Sequence, residues 1–333
     1  MKNIVNCAVI GVGKLGGIHA RNLVYKVPTA KLKTVVASRM SSAEKTAREL
    51  GVENWTDNVK EVLEDETIDA VIIATPSTTH ADLIIQASKH NKQIFVDKPI
   101  TETIAEAEEV IKEINQSKVI CQVGFMRRFD PSYADAKERI DRGDIGEPIY
   151  YKGISRDPGS PPEKFIKDSG GIFIDYCIHE FDISRYLIGS EVKSVKSSGG
   201  ILLHPFMEKY NDVDQSMSLV EFENGVAADI EVSRNSPYGI DVRGEIIGTE
   251  GMIHIGSIQS GRNRVMTKNK TYYENLDDFP NKFKDAFLIE IEHFIDSVRN
   301  KTKPIVTEVD GKKALEISEA ALKSFNLNKK IYL

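Results

Sequence analysis

Short apolar runs rich in β-branched residues alternate with amphipathic stretches through the first third of the chain. The runs are IVNCAVI (4–10), LKTVVAS (32–38), DAVIIAT (69–75), QIFVDKP (93–99) and VICQVGF (119–125). Each predicts a strand, and their near-continuous apolar character predicts strands covered on both faces. Between them lie helical patterns. One follows the first strand as far as Tyr25, with Ile18, Leu23 and Val24 as apolar positions. SSAEKTARELG predicts a helix capped by Ser41 or Ser42 and stopped by Gly51. HADLIIQASKHN and TIAEAEEVIKEINQS predict two more. Strict strand–helix alternation implies a parallel sheet with right-handed crossovers. After Pro148 the pattern changes. VKSVKSSGGIL, SMSLVEFENGVAADIEVSR, VRGEIIGTEGMIHIG and RVMTKNKTYYE mostly alternate apolar with polar, and Asn224-Gly225 is a hairpin signal. They predict a large, mostly antiparallel sheet. DAFLIEIEHFIDSVRNK (285–301) and GKKALEISEAALKSF (311–325) predict amphipathic helices. The alternation stops near Gly124, which divides the chain into 1–124 and 125–333.

Gly11-Val-Gly13-Lys14-Leu15-Gly16 sits between the first strand and the first helix. In that context Gly11 permits a tight turn, Gly13 lets backbone approach a pyrophosphate, and Gly16 lets helix pack on strand. The helix N-terminus then faces the phosphates. The alternative is a glycine-rich loop with no ligand.

Composition narrows the class. A chain of 333 residues is too long for one ordinary core. The hydrophobic share of 41% and charged share of 28% are those of a globular protein. A formal charge of -6 supplies no basic field for nucleic acid or an anionic membrane. Cys7, Cys121 and Cys177 form no metal or disulfide pattern, which points to a reducing compartment and a cytoplasmic protein. The apolar N-terminus reads as a strand rather than a leader, and no run is long enough to span a bilayer.

Polar groups interrupt one apolar segment. DSGGIFIDYCIHEFD (168–182) carries Asp175, His179 and Asp182 at helical spacing after two glycines. Residues 175 and 179 would share a helix face, with Asp182 extending it and Gly189 ending the helix. Such a helix would turn its apolar side to the core and a polar stripe to a cavity. A core histidine paired with Asp175 is the alternative. Zinc ligation is not supported, since no further Cys/His cluster is present, and no metal is expected.

These blocks resemble the Gfo/Idh/MocA oxidoreductases. The resemblance rests on GVGKLGGIHARNL, DKPI (97–100), VGFMRRFDPSY (123–133), GDIGEPIYYKGISRDP (143–158) and DSGGIFIDYCIHEFDISRYLIG (168–189). Within the family it is nearest to inositol 2-dehydrogenases acting on myo- or scyllo-inositol. It implies an α/β Rossmann domain with a parallel sheet, then an α+β C-terminal domain with a large, mostly antiparallel open sheet. It also implies a homodimer or homotetramer and reversible oxidation of a ring hydroxyl to a ketone. Lys98, Asp175 and His179 are the implied catalytic residues. His179 would take the hydroxyl proton, as a base titrating near working pH should. Lys98 would meet the substrate hydroxyl and stabilise the alkoxide, with Asp97 as the acidic residue that usually precedes it. Arg127, Asp157 and Tyr238 join these three as substrate contacts. Asp157 departs from the Asn often found there. For Arg128 an interdomain ion pair is the alternative, and His80 reads as a helix-start residue. None of these residues forms the cationic pocket a phosphorylated substrate needs. The alternatives in function are a related sugar or pyranoside dehydrogenase, and a cofactor-sensing binding protein without turnover.

The motif and the resemblance together imply a cofactor set of Gly11, Gly13, Lys14, Leu15 and Gly16, then Ser38 and Arg39, then Thr75, Pro76, Asp97, Lys98 and Gln122. NAD enzymes of this kind usually place an acid about 20 residues beyond the glycine motif, on the ribose hydroxyl. Here the second strand ends Val36-Ala37-Ser38-Arg39, without an acid. Arg39 and Ser38 suit a 2′-phosphate and favour NADP. The family resemblance favours NAD.

Overall fold

The structure, a computed structural model, describes residues 4–256, 264–273 and 279–333. Met1–Asn3, at the start of the strand-or-leader reading, and Glu274, at the end of the last predicted run, lie outside them. The chain divides into two compact units: Met1–Phe129 with Asp285–Lys313, and Asp130–Lys284 with Ala314–Leu333.

The first unit alternates as its pattern predicts. Its elements are β1 (Val5–Ile10), α1 (Lys14–Tyr25), β2 (Ala30–Val36), α2 (Met40–Leu50), β3 (Asn54–Thr56), α3 (Val59–Glu64), β4 (Ala70–Ile73), α4 (His80–Lys89), β5 (Gln93–Asp97), α5 (Ile104–Ser117) and β6 (Cys121–Gly124). The strands form one parallel sheet in the order β3-β2-β1-β4-β5-β6. β4 is buried at every position, because neither of its faces meets water. Each fully buried Ile or Val there stabilises by about 1.5–3 kcal/mol. The edge strand β3 and the short α3 add to the predicted set. α2 begins at Met40 with Arg39 as its N-cap and no side-chain cap, one to two residues before the serines expected to cap it. Its predicted stop holds: Gly51 is left-handed, φ 70°. α5 opens with a capping box, Thr103 Oγ1 accepting from Glu106 N and Glu106 Oε2 accepting from Thr103 N.

The second unit contains α6 (Pro131–Asp141), β7 (Pro148–Arg156), α7 (Glu163–Asp168), α8 (Gly171–Asp175), α9 (Cys177–Ile188), β8 (Val192–Gly200), β9 (Gln215–Phe222), β10 (Ala227–Ser233), β11 (Asp241–Gly248) and β12 (Met252–Ile255). Then come β13 (Arg264–Met266), β14 (Thr271–Tyr273) and α10 (Phe279–Lys282). α11 (Lys284–Asn300) belongs to the first unit from Asp285 onward, and α12 (Glu308–Leu327) and β15 (Ile331–Tyr332) complete the chain. Seven strands form one sheet in the order β12-β11-β7-β10-β9-β8-β15. Only β7 and β10 pair in parallel; the other pairs are antiparallel. β9 and β10 make the hairpin signalled by Asn224-Gly225, with Gly225 at φ 87°. One face of the sheet carries Tyr151, Val220, Ala228, Ile230 and Ile246 into a core shared with Cys177 and Phe181 of α9. Outward positions such as Met217, Leu219, Ile247 and Met252 are exposed.

The linear division at Gly124 therefore differs from the packing. The first unit runs on to Phe129 and recovers α11, whose Ile291, Phe294 and Ile295 pack with Val9, Ile72 and Phe95. Periodicity identifies an amphipathic helix but not the sheet it covers.

Candidate active site

The sheet order 3-2-1-4-5-6 places its switch point between β1 and β4, where ligands bind outside the carboxyl ends of the strands. The glycine turn lies there. Gly11 sits at φ 95°, and a Cβ on it would overlap the Ala74 carbonyl oxygen. A Cβ on Gly16 would overlap the Gly11 carbonyl oxygen. Gly13 is the N-cap of α1, with extended backbone, no side-chain cap and open space where a Cβ would project. Lys14 is exposed and Leu15 half-buried. The first turn of α1 holds no acid, and its N-cap residue Gly13 supplies no side-chain cap, so the turn fits a pyrophosphate.

Ser38 and Arg39 are exposed just beyond β2. Thr75 and Pro76 follow β4, where Thr75 Oγ1 pairs with Thr79 Oγ1 at 2.7 Å. His80, the first residue of α4, is buried between two carbonyl oxygens: Pro99 O lies 2.8 Å from Nδ1 and Thr75 O 3.0 Å from Nε2. Burial pushes its ring down from the ordinary range, and Lys98 adds to this. His80 thus ties the end of β4 to the residue after Lys98, a structural role consistent with its reading as a helix-start residue. Asp97 ends β5, buried, and Lys98 follows it half-buried. Burial raises the Asp97 carboxyl to about 7, against the opposing pull of Lys98.

Gln122 is placed differently from the rest of the cofactor set. It lies wholly inside the unit, and its Nε2 donates to the Glu290 carbonyl at 2.8 Å. Its side chain is directed to α11 rather than to a ligand surface. Arg127 and Arg128 are buried in a 3-10 turn after β6. Arg128 pairs with Asp310 at 3.1 Å and donates to Ile305 O at 3.1 Å. That ion pair lies within the first unit, not between domains. A large cleft of about 1310 Å³ opens at the opposite, amino end of this sheet, beside Val5, Asp69 and Gln93. Three of its basic residues, Lys89, Lys118 and Arg299, stand at helix C-termini, where cations offset the helix dipole. It is remote from the glycine turn.

In the second unit the predicted single helix is two. α8 ends at Asp175 and α9 begins at Cys177, with a joint at Tyr176, φ −111° and ψ −49°. The spacing of Asp175 and His179 fits a continuous helix equally well, so the pattern could not reveal the break. His179 lies in the first turn of α9, its N–H donating to Tyr176 O at 3.3 Å. Asp182 is buried rather than extending an open polar stripe. Between them, Glu180 is buried and accepts from Ser155 Oγ at 2.5 Å and Tyr151 OH at 3.2 Å.

Asp175 has a partner that sequence reasoning missed. Arg234, 1% exposed, reaches Asp175 Oδ2 with Nη2 at 3.3 Å, and its guanidinium lies 5.7 Å from the centre of the Tyr176 ring. Asp212 stands nearby; burial raises its carboxyl while Ile172 N and Val213 N donate to it. Asp214 accepts from the N–H groups of Leu202, Leu203 and His204 and from Asn235 Nδ2. These bonds fix the chain around Arg234, whose N–H donates to Asp214 O. The only sequence signal was an arginine within the SRNSPYG run, 59 residues from its partner. Asp157 follows β7, its N–H donating to Ser233 O and its carbonyl accepting from Ser236 N, which holds it beside β10. The Tyr238 hydroxyl accepts from Arg156 Nη1 at 2.7 Å and donates to Asp241 Oδ2 at 3.0 Å. Among the described residues no three His, Cys, Asp or Glu side chains group to hold a metal ion, and no helix is long and apolar enough to cross a membrane.

Comparison with known proteins agrees with both units. Residues 5–125 match the oxidoreductase family described as an NAD-binding Rossmann fold, and residues 137–333 match its C-terminal alpha/beta domain. The scyllo-inositol 2-dehydrogenase (NAD(+)) of Bacillus subtilis is 52% identical over 98% of this chain and 95% of its own. The myo-inositol 2-dehydrogenase of Thermotoga maritima is 35% identical over 98% and 97%. The crystal structure of Lactobacillus casei scyllo-inositol dehydrogenase with bound NAD(H) and scyllo-inositol superposes with a TM-score of 0.93, at 31% identity and 99% coverage of each chain. A glycine turn at the switch point of one unit, a mixed seven-stranded sheet in the other and these matches along the whole length carry one conclusion: the chain belongs to the Gfo/Idh/MocA family of oxidoreductases.

Proposed function

We propose that this protein oxidises a ring hydroxyl of scyllo- or myo-inositol to the ketone, with a nicotinamide dinucleotide as hydride acceptor. The observation that carries this reading is 52% identity, over nearly the full length of both chains, to a scyllo-inositol 2-dehydrogenase. The dinucleotide supplies the hydride-accepting ring; the chain supplies the rest. Gly11, Gly13 and Gly16, with Lys14 and Leu15, hold the pyrophosphate against the first turn of α1. Thr75 and Pro76 flank the nicotinamide ribose, and Asp97 and Lys98 complete that side. NAD is the cofactor of the family, and NADP is tolerated because Ser38 and Arg39 stand where an acid would reject a 2′-phosphate.

His179 would take the proton from the hydroxyl oxygen as the carbon bearing it gives up hydride to the nicotinamide. Lys98 donates a hydrogen bond to the oxygen and stabilises its developing charge. Asp175, held by Arg234, orients the ring through a neighbouring hydroxyl. Arg127, Asp157 and Tyr238 contact the remaining hydroxyls, Tyr238 with its own hydroxyl fixed by Arg156 and Asp241. His179→Ala and Lys98→Ala should each lower kcat by about two orders of magnitude, the scale of a lost acid–base group, while dinucleotide binding persists. Near-normal oxidation of a panel of inositols by His179→Ala would remove it from the base role.

Assembly belongs to the same proposal. The outward face of the second unit's sheet combines exposed Met217, Leu219, Ile247 and Met252 with charges of both signs, Lys152 and Arg243 beside Asp229 and Glu245. A mixed-sign apolar face suits a second copy of itself about a two-fold axis, giving a homodimer or homotetramer.

A further inference from the structure

Phe95 and Asp97 lie two residues apart on β5 and therefore share one face of the parallel sheet. On β6 their register partners are Gln122 and Gly124. Two helices bring polar groups to this patch. His19 of α1 meets the Phe95 ring edge-on, with centroids 4.9 Å apart. Glu290 of α11 receives the Gln122 amide on its backbone carbonyl. His19, Gln122 and Glu290 are all 0% exposed. Five of their atoms have no hydrogen-bond partner among the described residues: both ring nitrogens of His19, Oε1 of Gln122 and both carboxyl oxygens of Glu290. Buried polar atoms are nearly always bonded to protein or to ordered water. His19 Nε2 and Glu290 Oε1 stand 3.9 Å apart, beyond hydrogen-bond reach and at a spacing where a bridging molecule belongs.

We propose that His19, Gln122 and Glu290 form a buried water-binding site inside the Rossmann unit, and that Glu290 through it is a positioning residue for Asp97. The second half rests on the reading above, in which Asp97 and Lys98 serve the reaction. Three side chains supply the two to four polar partners an internal water requires. Charge selects water over an ion. Burial pushes the Glu290 carboxyl well up, with Asp97 adding to this, and pushes the His19 ring down to about 4. Both shifts favour the uncharged form. A neutral carboxyl and a neutral imidazole each offer one donor and one or more acceptors, which matches the two-donor, two-acceptor pattern of water. The groups facing Asp97 are then Glu290 from α11, whose burial favours its uncharged form, and Lys98 from the strand end. His19 from α1 completes the cluster, its burial likewise favouring the uncharged form. The site joins the helix that begins at the glycine motif to the strand that delivers Lys98. It lets α1 pack on β5 through hydrogen bonds without placing a second charge beside Asp97.

A high-resolution crystal structure of the full chain tests the first half. Ordered water within hydrogen-bond distance of His19 Nε2 and Glu290 Oε1 is expected, and a dry contact overturns the site. At about pH 8, above the range in which Asp97 holds its proton, the infrared difference between wild type and Glu290→Gln should contain a protonated-carboxyl band that shifts in heavy water; no such band overturns the neutral carboxyl. For the positioning role, Glu290→Leu should expel the water, lower kcat about tenfold with less effect on the KM for dinucleotide, and move the acidic limb of the pH–rate profile by about one unit. Glu290→Gln, which still bonds water, should recover most of that loss. Should Glu290→Leu fail to fold, His19→Leu replaces it with the same expectations. An unchanged pH profile in the leucine variant overturns the positioning role. Loss of the Lys98 reading would leave the water and the infrared band in place, so the two failures are distinguishable.

Discussion

Asp97→Asn removes a buried carboxyl whose ionisation is held off until about pH 7, and the size of its effect follows from the structure. Between the ordinary Asp value of 3.8 and about 7, the folded chain keeps the proton and the unfolded chain does not. The folded state binds more protons in that window, so stability falls as pH rises through it and levels off above. At about 1.36 kcal/mol per pH unit, the full window corresponds to about 4 kcal/mol of lost stability. Asparagine keeps the shape and cannot ionise. The variant should match wild type near pH 4, gain about 1.5 kcal/mol at about pH 5 and gain about 4 kcal/mol at about pH 8. Urea unfolding of the protein without ligand measures this directly. The single tryptophan, Trp55, lies in β3 and reports on the unit that contains Asp97. A gain that does not grow with pH, or no gain at about pH 8, would refute the argument that burial holds the proton there. The same variant should lose activity, since the group beside Lys98 is then unable to carry charge, a trade of function for stability.

Arg39→Asp should move the ratio of kcat/KM for NAD over NADP by about tenfold or more toward NAD, by repelling a 2′-phosphate and accepting a ribose hydroxyl. Wild-type enzyme with no measurable NADP activity would defeat the reading of Ser38 and Arg39. Arg234→Ala leaves the Asp175 carboxylate without its buried partner and should cost about 3 kcal/mol in chemical denaturation. Lysine at that position should restore less than half, because it lacks the planar group that covers Tyr176. Sedimentation at micromolar concentration should give a dimer or tetramer, and a monomer throughout would count against pairing of the open sheet face.

The parallel sheet was legible because its strands are buried on both faces and so stand out as unbroken apolar runs. The turn at Gly11 and Gly16 was legible because close backbone approach tolerates no side chain there. β3 was not, since Asn54–Thr56 is too short to show a period. Serines 41 and 42 drew the N-cap expectation by propensity, yet the turn after β2 starts the helix earlier. The joint at Tyr176 left no trace because four-residue spacing is the same whether or not the helix is continuous. Arg234 was silent in the sequence, as a buried ion pair joins residues 59 apart without any local pattern. His19 lies within the glycine block that carried the resemblance. The polar group nearest its ring, however, is Glu290 of α11, 3.9 Å away, so its burial could not be read from its neighbours.

The interleaving of the two units has a consequence for synthesis. Emerging from the ribosome, the chain completes β6 at Gly124, with all six strands of the dinucleotide sheet then made. Yet the core on one face of that sheet is completed by Ile291, Phe294 and Ile295, which arrive more than 160 residues later. N-terminal domains commonly fold while the rest of the chain is still being made. Here the first-made unit is the one that must wait, and it cannot be inherited, excised or expressed as a contiguous N-terminal fragment without losing its cover. The sheet that holds the cofactor and the last third of the gene are bound to travel together.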